Sequence, residues 1–259
     1  MLVGAMNHPM RDTVGEIRGF GSAGLDFIDL TLEPDHAYSA TLDVGAVRRA
    51  LDETGLGIVG HTAWYMPLAS PFPTLRQAAL AELEADLDVF AALGADRMNV
   101  HPDRGASLSP ADWTIARNAE ALETLDAKAR ERGIRIIVEN IPGMFGRVEV
   151  LRRLFDRVPA LDFHLDVGHA NLGVPRNVTP ELLDAFADRL AHVHFSDNKG
   201  GDADLHLPLG AGLIDWSDMI RHLKCHGYDG TITLEVFSDD PEYLHYSARK
   251  LRALWAKAT

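Results

Sequence analysis

The chain has 259 residues, of which 46% are hydrophobic and 24% are charged, so it is long enough to bury one large core. Its formal net charge of −13 opposes a broad attraction to the phosphate backbone of nucleic acids. The single cysteine, Cys225, excludes an intrachain disulfide framework and a cysteine-rich zinc module, so a bound metal would need histidine, aspartate or glutamate ligands.

The first residues, MLVGAMNHPMRD, do not have the basic start and long apolar core of a secretion signal. No apolar run in the chain approaches the roughly 20 residues that a bilayer-spanning helix requires. We therefore expect a cytoplasmic protein that has no membrane partner.

Short β-rich segments alternate along the chain with longer segments of helical period. The strands are predicted at 2–6, 27–32, 57–61, 97–101, 134–139, 162–167, 191–196 and 231–236. The clearest helices are predicted at 74–95 and 109–133. No linker rich in proline, glycine or serine divides the chain, so we expect one domain, 1–259. Eight alternating units favour an α/β fold of the (β/α)8 barrel type over a doubly wound open sheet.

Active sites of (β/α)8 barrels lie at the carboxyl ends of the strands, so the residues at those ends indicate the chemistry. Six consecutive predicted strands end on a potential metal ligand, namely His61, His101, Glu139, Asp166, His194 and Glu235. Three more such residues, His169, Asp204 and His206, follow the sixth and seventh strands. A single histidine at a strand end is more often structural than a metal ligand. The coincidence of so many potential ligands at one mouth of the barrel, however, predicts a metal site. Carboxylates packed so closely need a cation or shared protons.

Two further features lie near these residues. His164 and His192 share a strand face with Asp166 and His194 but lie one layer deeper, so we expect them to pack inside the barrel. Trp64 and Tyr65 directly follow the third strand, where they form either an aromatic wall over a substrate or ordinary packing.

At these residues the chain resembles the xylose isomerase-like TIM-barrel superfamily, which includes sugar phosphate isomerases and epimerases as well as endonuclease IV. The resemblance runs from HTAWYMPLASP, beginning at His61, to TLEVF, ending at Phe237. The epimerase branch implies one metal held by Glu139, Asp166, His194 and Glu235. The endonuclease pattern implies three metals and adds His61, His101, His169, Asp204 and His206, all of which are present.

The epimerase resemblance implies a sugar, sugar phosphate or polyol substrate and proton transfer through a metal-stabilised enediolate. Glu139 and Glu235 are the expected acid and base, unless both are ligands only and water moves the proton. The oxygen-rich ligand set favours Mn²⁺, with Zn²⁺, Co²⁺ or Mg²⁺ as alternatives. His61, His101 and His169 would orient substrate oxygens if they hold no further metal.

Two other functions remain open at the level of sequence. An endonuclease IV-like enzyme would cut DNA at abasic sites, but this chain has Leu205 where that pattern has an arginine, and it lacks an evident Lys/Arg cluster near the first strands. Nucleic acid is therefore the less favoured partner. A barrel that binds a metal and a ligand without turnover is the third possibility.

Lys199 either meets a phosphate or carboxylate of the substrate or is simply solvated. The sugar, its phosphorylation, the number of metals and the oligomeric state are not fixed by the sequence.

Overall fold

The computed structural model describes residues 1–258. Eight parallel strands close into one barrel in chain order, with β8 pairing with β1. The strands span Leu2–Met6 (β1), Phe27–Leu32 (β2), Gly57–Thr62 (β3), Arg97–Val100 (β4), Arg135–Glu139 (β5), Asp162–Asp166 (β6), Leu190–Phe195 (β7) and Thr231–Leu234 (β8). All eight predicted strands are present, and the (β/α)8 prediction is confirmed. Some strand ends differ from the prediction by one or two residues, as is usual where pairing frays.

A helix follows each strand and packs on the outside of the barrel. The helices span Thr13–Ser22 (α1), Val44–Thr54 (α2), Pro73–Leu93 (α3), Ala111–Glu131 (α4), Val148–Arg157 (α5), Thr179–Phe186 (α6), Trp216–Cys225 (α7) and Glu242–Lys257 (α8). Helix α3 has a proline in its first turn and ends at Gly94, whose φ of 85° lies in the left-handed region that glycine adopts without strain. Local sequence thus fixes where this long helix begins and ends.

Two kinds of core result from the alternation of side chains along the strands. On β2, Ile28 and Leu30 point outward into the apolar layer between sheet and helices, where both are fully buried. Asp29 and Thr31 alternate with them and are buried among polar side chains instead. The barrel interior is therefore polar near the ends of the strands, which is where a site can be built.

No helix within residues 1–258 combines the length and apolar character needed to cross a membrane. The predicted domain runs to residue 259, and its last residue, Thr259, lies outside the described range.

Candidate metal centre

The four residues of the predicted one-metal site form an arc at the mouth of the barrel. Nδ1 of His194 lies 3.1 Å from Oε1 of Glu235 and 3.9 Å from Oδ2 of Asp166. A carboxylate oxygen of Asp166 and one of Glu139 lie within 4.8 Å of each other. Ligand atoms about 2.0–2.2 Å from one ion are themselves roughly 3 Å apart or slightly more, so the 3.1 Å contact between His194 and Glu235 already has the spacing of two ligands of one cation.

Glu139 is the most heavily contacted carboxylate of the group. Its Oε2 accepts a 2.6 Å hydrogen bond from the Asn99 amide and lies 3.0 Å from Nε2 of His101, and its Oε1 lies 2.9 Å from Nδ1 of His169. Although burial opposes ionisation, the neighbouring histidines, His101 foremost, hold the pKa of Glu139 well below its usual range. This side chain is therefore ionised and fixed in position.

The other two carboxylates of the arc have contrasting surroundings. Burial raises the pKa of Asp166 to about 7, with His169 opposing that rise. Burial would also raise the pKa of Glu235, but His194 outweighs it and lowers that pKa to about 2. A cation bound between these side chains would remove the burial cost of charging Asp166.

His194 is oriented from behind by Asp29, a residue that the sequence analysis did not select. Oδ2 of Asp29 accepts hydrogen bonds from Nε2 of His194 (2.7 Å), from the Thr233 hydroxyl (2.8 Å) and from Nε2 of His192 (3.2 Å). With Nε2 engaged, Nδ1 of His194 is the nitrogen that faces the arc. A signal was present in the sequence, because an aspartate inside the apolar strand FIDLTL must have a partner if it is buried.

His61 and His101 extend the site on the side of β3 and β4. With Glu139 they form a group whose ligand atoms lie within 4.8 Å of one another. Nδ1 of His61 is 3.1 Å from the Thr31 hydroxyl, which leaves its Nε2 for the cavity. Burial lowers the pKa of His61 to about 4, so its ring is neutral and able to bind a metal.

His169, Asp204 and His206 meet on the side of β6 and β7. Oδ2 of Asp204 lies 3.0 Å from Nε2 of His169 and 3.2 Å from Nε2 of His206. His206 has a φ of 44°, the one positive value at a non-glycine position in residues 1–258. Such backbone conformations are uncommon outside glycine and concentrate at functional sites.

The loop that carries Asp204 and His206 is anchored by Asp197, a second residue that the sequence analysis did not select. The buried carboxylate of Asp197 accepts hydrogen bonds from the backbone of Gly210 (2.7 Å) and from the indole of Trp216 (2.9 Å). Its backbone pairs in both directions with Leu207, at 2.9 and 2.8 Å. The loop is thereby held against the barrel.

His164 and His192 are fully buried beneath the mouth, as their deeper positions predict. Their rings and that of His194 pack together, with centroids 4.0 to 5.1 Å apart. Burial is the main cause that lowers the pKa of His164 well below its usual range, so its ring is neutral. These two residues support the site from below.

The donor atoms at the mouth fit a divalent cation. The buried side-chain atoms that have no hydrogen-bond partner within residues 1–258 include Nε2 of His61, Oδ2 of Asp166, Nδ1 of His194 and Nδ1 of His206. Leaving a buried polar atom unpaired costs roughly 1–3 kcal/mol, and a metal would satisfy several at once. A mixed set of carboxylate oxygens and imidazole nitrogens suits Mn²⁺, Zn²⁺ or Co²⁺.

Above these residues lies a cleft with a volume of about 690 Å³. Of the predicted substrate-binding residues, His61, His101, His169 and Trp64 line it. Tyr65 is not among its lining residues; its hydroxyl donates instead to Glu33, which does line it. Lys199 is exposed and lies outside the lining.

The chain is similar in sequence to several known proteins. A fructoselysine 3-epimerase from Escherichia coli O157:H7 is 24% identical over 257 residues, covering 92% of this chain and 91% of that protein. A probable endonuclease 4 from Natronomonas pharaonis is 26% identical over 235 residues, covering 82% of each. The protein MJ1311 from Methanocaldococcus jannaschii is 29% identical over 187 residues, and the match covers 64% of this chain but only 62% of that protein, less than two thirds of its length.

The fold is also shared with solved structures. A D-tagatose 3-epimerase-like protein superposes with a TM-score of 0.88 at 22% identity, covering 99% of this chain and 97% of that one. The protein TTHB071 from Thermus thermophilus, solved after soaking with ZnCl₂, superposes with a TM-score of 0.78 at 27% identity and full coverage of both chains. Residues 21–255 match the family described as xylose isomerase-like TIM barrel. The chain therefore belongs to the xylose isomerase-like TIM barrel family.

Proposed function

We propose that the protein is a divalent-metal-dependent isomerase or epimerase of a sugar or polyol. One observation carries the proposal: Glu139 at the end of β5 and Glu235 directly after β8 enter one cleft from separate strands, with Asp166 and His194 between them. An epimerase needs proton-transfer groups on opposite faces of one carbon, which two carboxylates can supply, and an isomerase needs a base that can reach two neighbouring carbons.

The metal would be held by Glu139, Asp166, His194 and Glu235. When bound, it would act as a Lewis acid toward a sugar carbonyl and the neighbouring hydroxyl. Mn²⁺ fits this set of three carboxylates and one imidazole best, with Zn²⁺, Co²⁺ and Mg²⁺ as alternatives.

The side chains of this chain would move the proton. Glu139 and Glu235 both have a lowered pKa, so each is ionised at neutral pH and can accept a proton from the carbon beside the carbonyl. In an isomerisation the same carboxylate returns the proton to the neighbouring carbon, whereas in an epimerisation the other carboxylate must first take up a proton from water before it can deliver it to the opposite face of the carbon. His61, His101 and His169 lie close enough to Glu139 to orient substrate hydroxyls in this cleft.

The activities after which similar proteins are named support this proposal. The sugar 3-epimerases among the solved structures share the whole fold, and the fructoselysine 3-epimerase aligns with nearly the full chain. The volume of the cleft lies within the range of about 300–1,000 Å³ that is typical of small-molecule sites.

One specific observation favours a second candidate, an endonuclease IV-like phosphodiesterase. Besides the four residues of the arc, His61 lies close to His101, and Asp204 lies close to His206. A three-metal site would require both of these contacts. The surroundings oppose DNA binding, because the net charge is −13 and Leu205 offers no cation to a phosphate. We therefore favour the sugar reaction.

Heavy water tests the proposal directly. Incubating the metal-loaded protein with a panel of aldoses, ketoses and their phosphates in ²H₂O should place deuterium on the carbon beside the carbonyl of the true substrate. Glu235→Gln should abolish this exchange, whereas Glu53→Gln, on the exposed face of α2, should not. The metal content of each variant is measured in parallel, since Glu235 is also a proposed ligand.

Two results would contradict the proposal. Turnover without deuterium uptake would indicate hydride transfer or hydrolysis. Metal and sugar binding without any exchange would indicate a binding protein.

A further inference from the structure

The cleft above the candidate metal centre has a polar floor and an outer part in which exposed apolar side chains lie beside the charged residues Arg104, Arg147 and Asp202. The floor carries the histidines and carboxylates described above. Farther out, Trp64 after β3 and Phe237 after β8 line the cleft with side chains that are 62% and 46% exposed. Leu172, Val174 and Val178 line it from the loop after β6. Aromatic residues so exposed around a site are a recognised mark of ligand contact.

A second hollow continues from this apolar part. It has a volume of about 580 Å³ and lies between the first turn of α5 and helix α6. The two hollows share Gly146, Arg147, Val174 and Val178, so one surface leads from the metal centre to the groove outside. The two shared valines are only partly buried.

A free sugar covers only part of such a surface. The C–H face of its ring can stack on one aromatic side chain, but a sugar is much smaller than the ligands that fill clefts of this volume. With a sugar alone at the metal, the two valines and at least one of Trp64 and Phe237 would stay in contact with water. A ligand that covered them would gain about 25 cal/mol for each Å² of apolar surface removed from water.

We infer that the substrate is a sugar joined to a second, apolar unit such as an aryl aglycone. The sugar lies on the polar floor, and the apolar unit extends across Val174 and Val178 toward the groove between α5 and α6. The groove also has five charged lining residues, Arg147, Glu149, Arg152, Glu181 and Asp184, and the side chains of Arg147 and Glu149 form a 3.8 Å ion pair and are more than half exposed. The sugar half of this inference rests on the proposed function, whereas the apolar half rests on the walls of the cleft.

Two glycosides that differ only in the aglycone test the inference. Binding of 4-nitrophenyl β-D-glucopyranoside and of methyl β-D-glucopyranoside to the Mn²⁺-loaded protein is measured by calorimetry. We expect the aryl glycoside to bind at least about tenfold more tightly, because the free energy gained by burying one aromatic ring exceeds the free energy that a tenfold change in affinity represents. Val174→Asp should reduce this ratio severalfold by placing a charge on the exit path, and Val178→Ala should reduce it less. Leu213→Asp, an exposed apolar position outside both hollows, should leave the ratio unchanged.

Three outcomes would overturn the inference: equal affinities for the two glycosides, no binding of either at millimolar concentration, or an aryl preference that survives both valine substitutions. Deuterium exchange separates this test from that of the proposed function. An aryl preference that depends on Val174, without exchange in any sugar, would leave the apolar subsite in place and reject the isomerase.

Discussion

The Asp29 carboxylate lies 2.7 Å from Nε2 of His194, and both side chains are fully buried. The two residues are 165 positions apart in the sequence, on β2 and β7. Because the Asp29 carboxylate accepts the Nε2 proton, Nδ1, the atom that faces Glu235 at 3.1 Å, is the nitrogen that would bind a metal after losing its own proton. Asp29 therefore fixes both the tautomer and the orientation of a proposed metal ligand.

Replacing Asp29 should weaken metal binding without changing any ligand. We expect Asp29→Asn to lower the affinity for Mn²⁺ by roughly 10- to 100-fold, since the carboxylate no longer fixes the ring of His194. A chelator competition titration measures the affinity, and ¹⁵N chemical shifts of the histidine rings report the tautomer. Circular dichroism verifies that the variant is folded. An unchanged affinity in a folded variant would show that Asp29 has only a structural role.

His206 distinguishes the two candidate functions, because it belongs only to the proposed three-metal arrangement. On the isomerase proposal, His206→Ala lowers the number of bound metals or weakens substrate binding, but deuterium exchange remains measurable. On the endonuclease alternative, the wild type cuts abasic DNA and the same variant loses nearly all of that activity. Leu205→Arg should then improve cutting by adding a phosphate contact.

The matched control for this substitution is His222→Ala, on α7 away from the cleft, which should change neither activity. Efficient incision of an abasic duplex by the wild type at physiological salt would reject the isomerase proposal.

Asp197 should contribute strongly to the free energy of unfolding. Besides its bonds to Gly210 and Trp216, it accepts hydrogen bonds from the backbone of Asn198 (2.9 Å) and Ile214 (3.3 Å). Asp197→Ala leaves these buried donors unpaired, so we expect a loss of about 3 kcal/mol or more in urea unfolding. Asp202→Ala, an exposed position in the same loop, should cost less than about 0.5 kcal/mol. A small loss at Asp197 would mean that water replaces its contacts.

Asp86 on α3 should make stability depend on pH. Burial, with further repulsion from Glu82 and Glu33, raises the pKa of Asp86 to about 7. A raised acid pKa penalises folding once the group ionises: the penalty is absent below the unfolded pKa of about 4, grows as the pH rises, and is complete above about 7. Asp86→Asn should therefore stabilise the protein at pH 8 by a few kcal/mol and have little effect near pH 4.

Urea unfolding of the wild type and of Asp86→Asn at the two pH values measures this difference. Asp88→Asn, an exposed neighbour on the same helix, is the control. A gain from Asp86→Asn that is equal at both pH values would contradict the assigned cause.

The sequence by itself determined the strands and the residues at their ends. Alternation of apolar residues and the signals at the helix ends are local properties, so they indicate eight βα units without knowledge of their contacts. The rule that strand ends converge at one mouth then brings together residues as distant as His61 and Glu235. Both lie in the same cleft.

Only the tertiary structure decided which side chains support and surround these residues. Asp29 reaches His194 because the barrel closes with a particular register, and no local pattern records which inward side chains then share a layer. Loop conformation likewise separated Trp64, which lines the cleft, from its neighbour Tyr65, and left Lys199 in solvent. The type of each side chain is given by the local sequence, whereas the distance between two side chains depends on how all eight βα units close into the barrel.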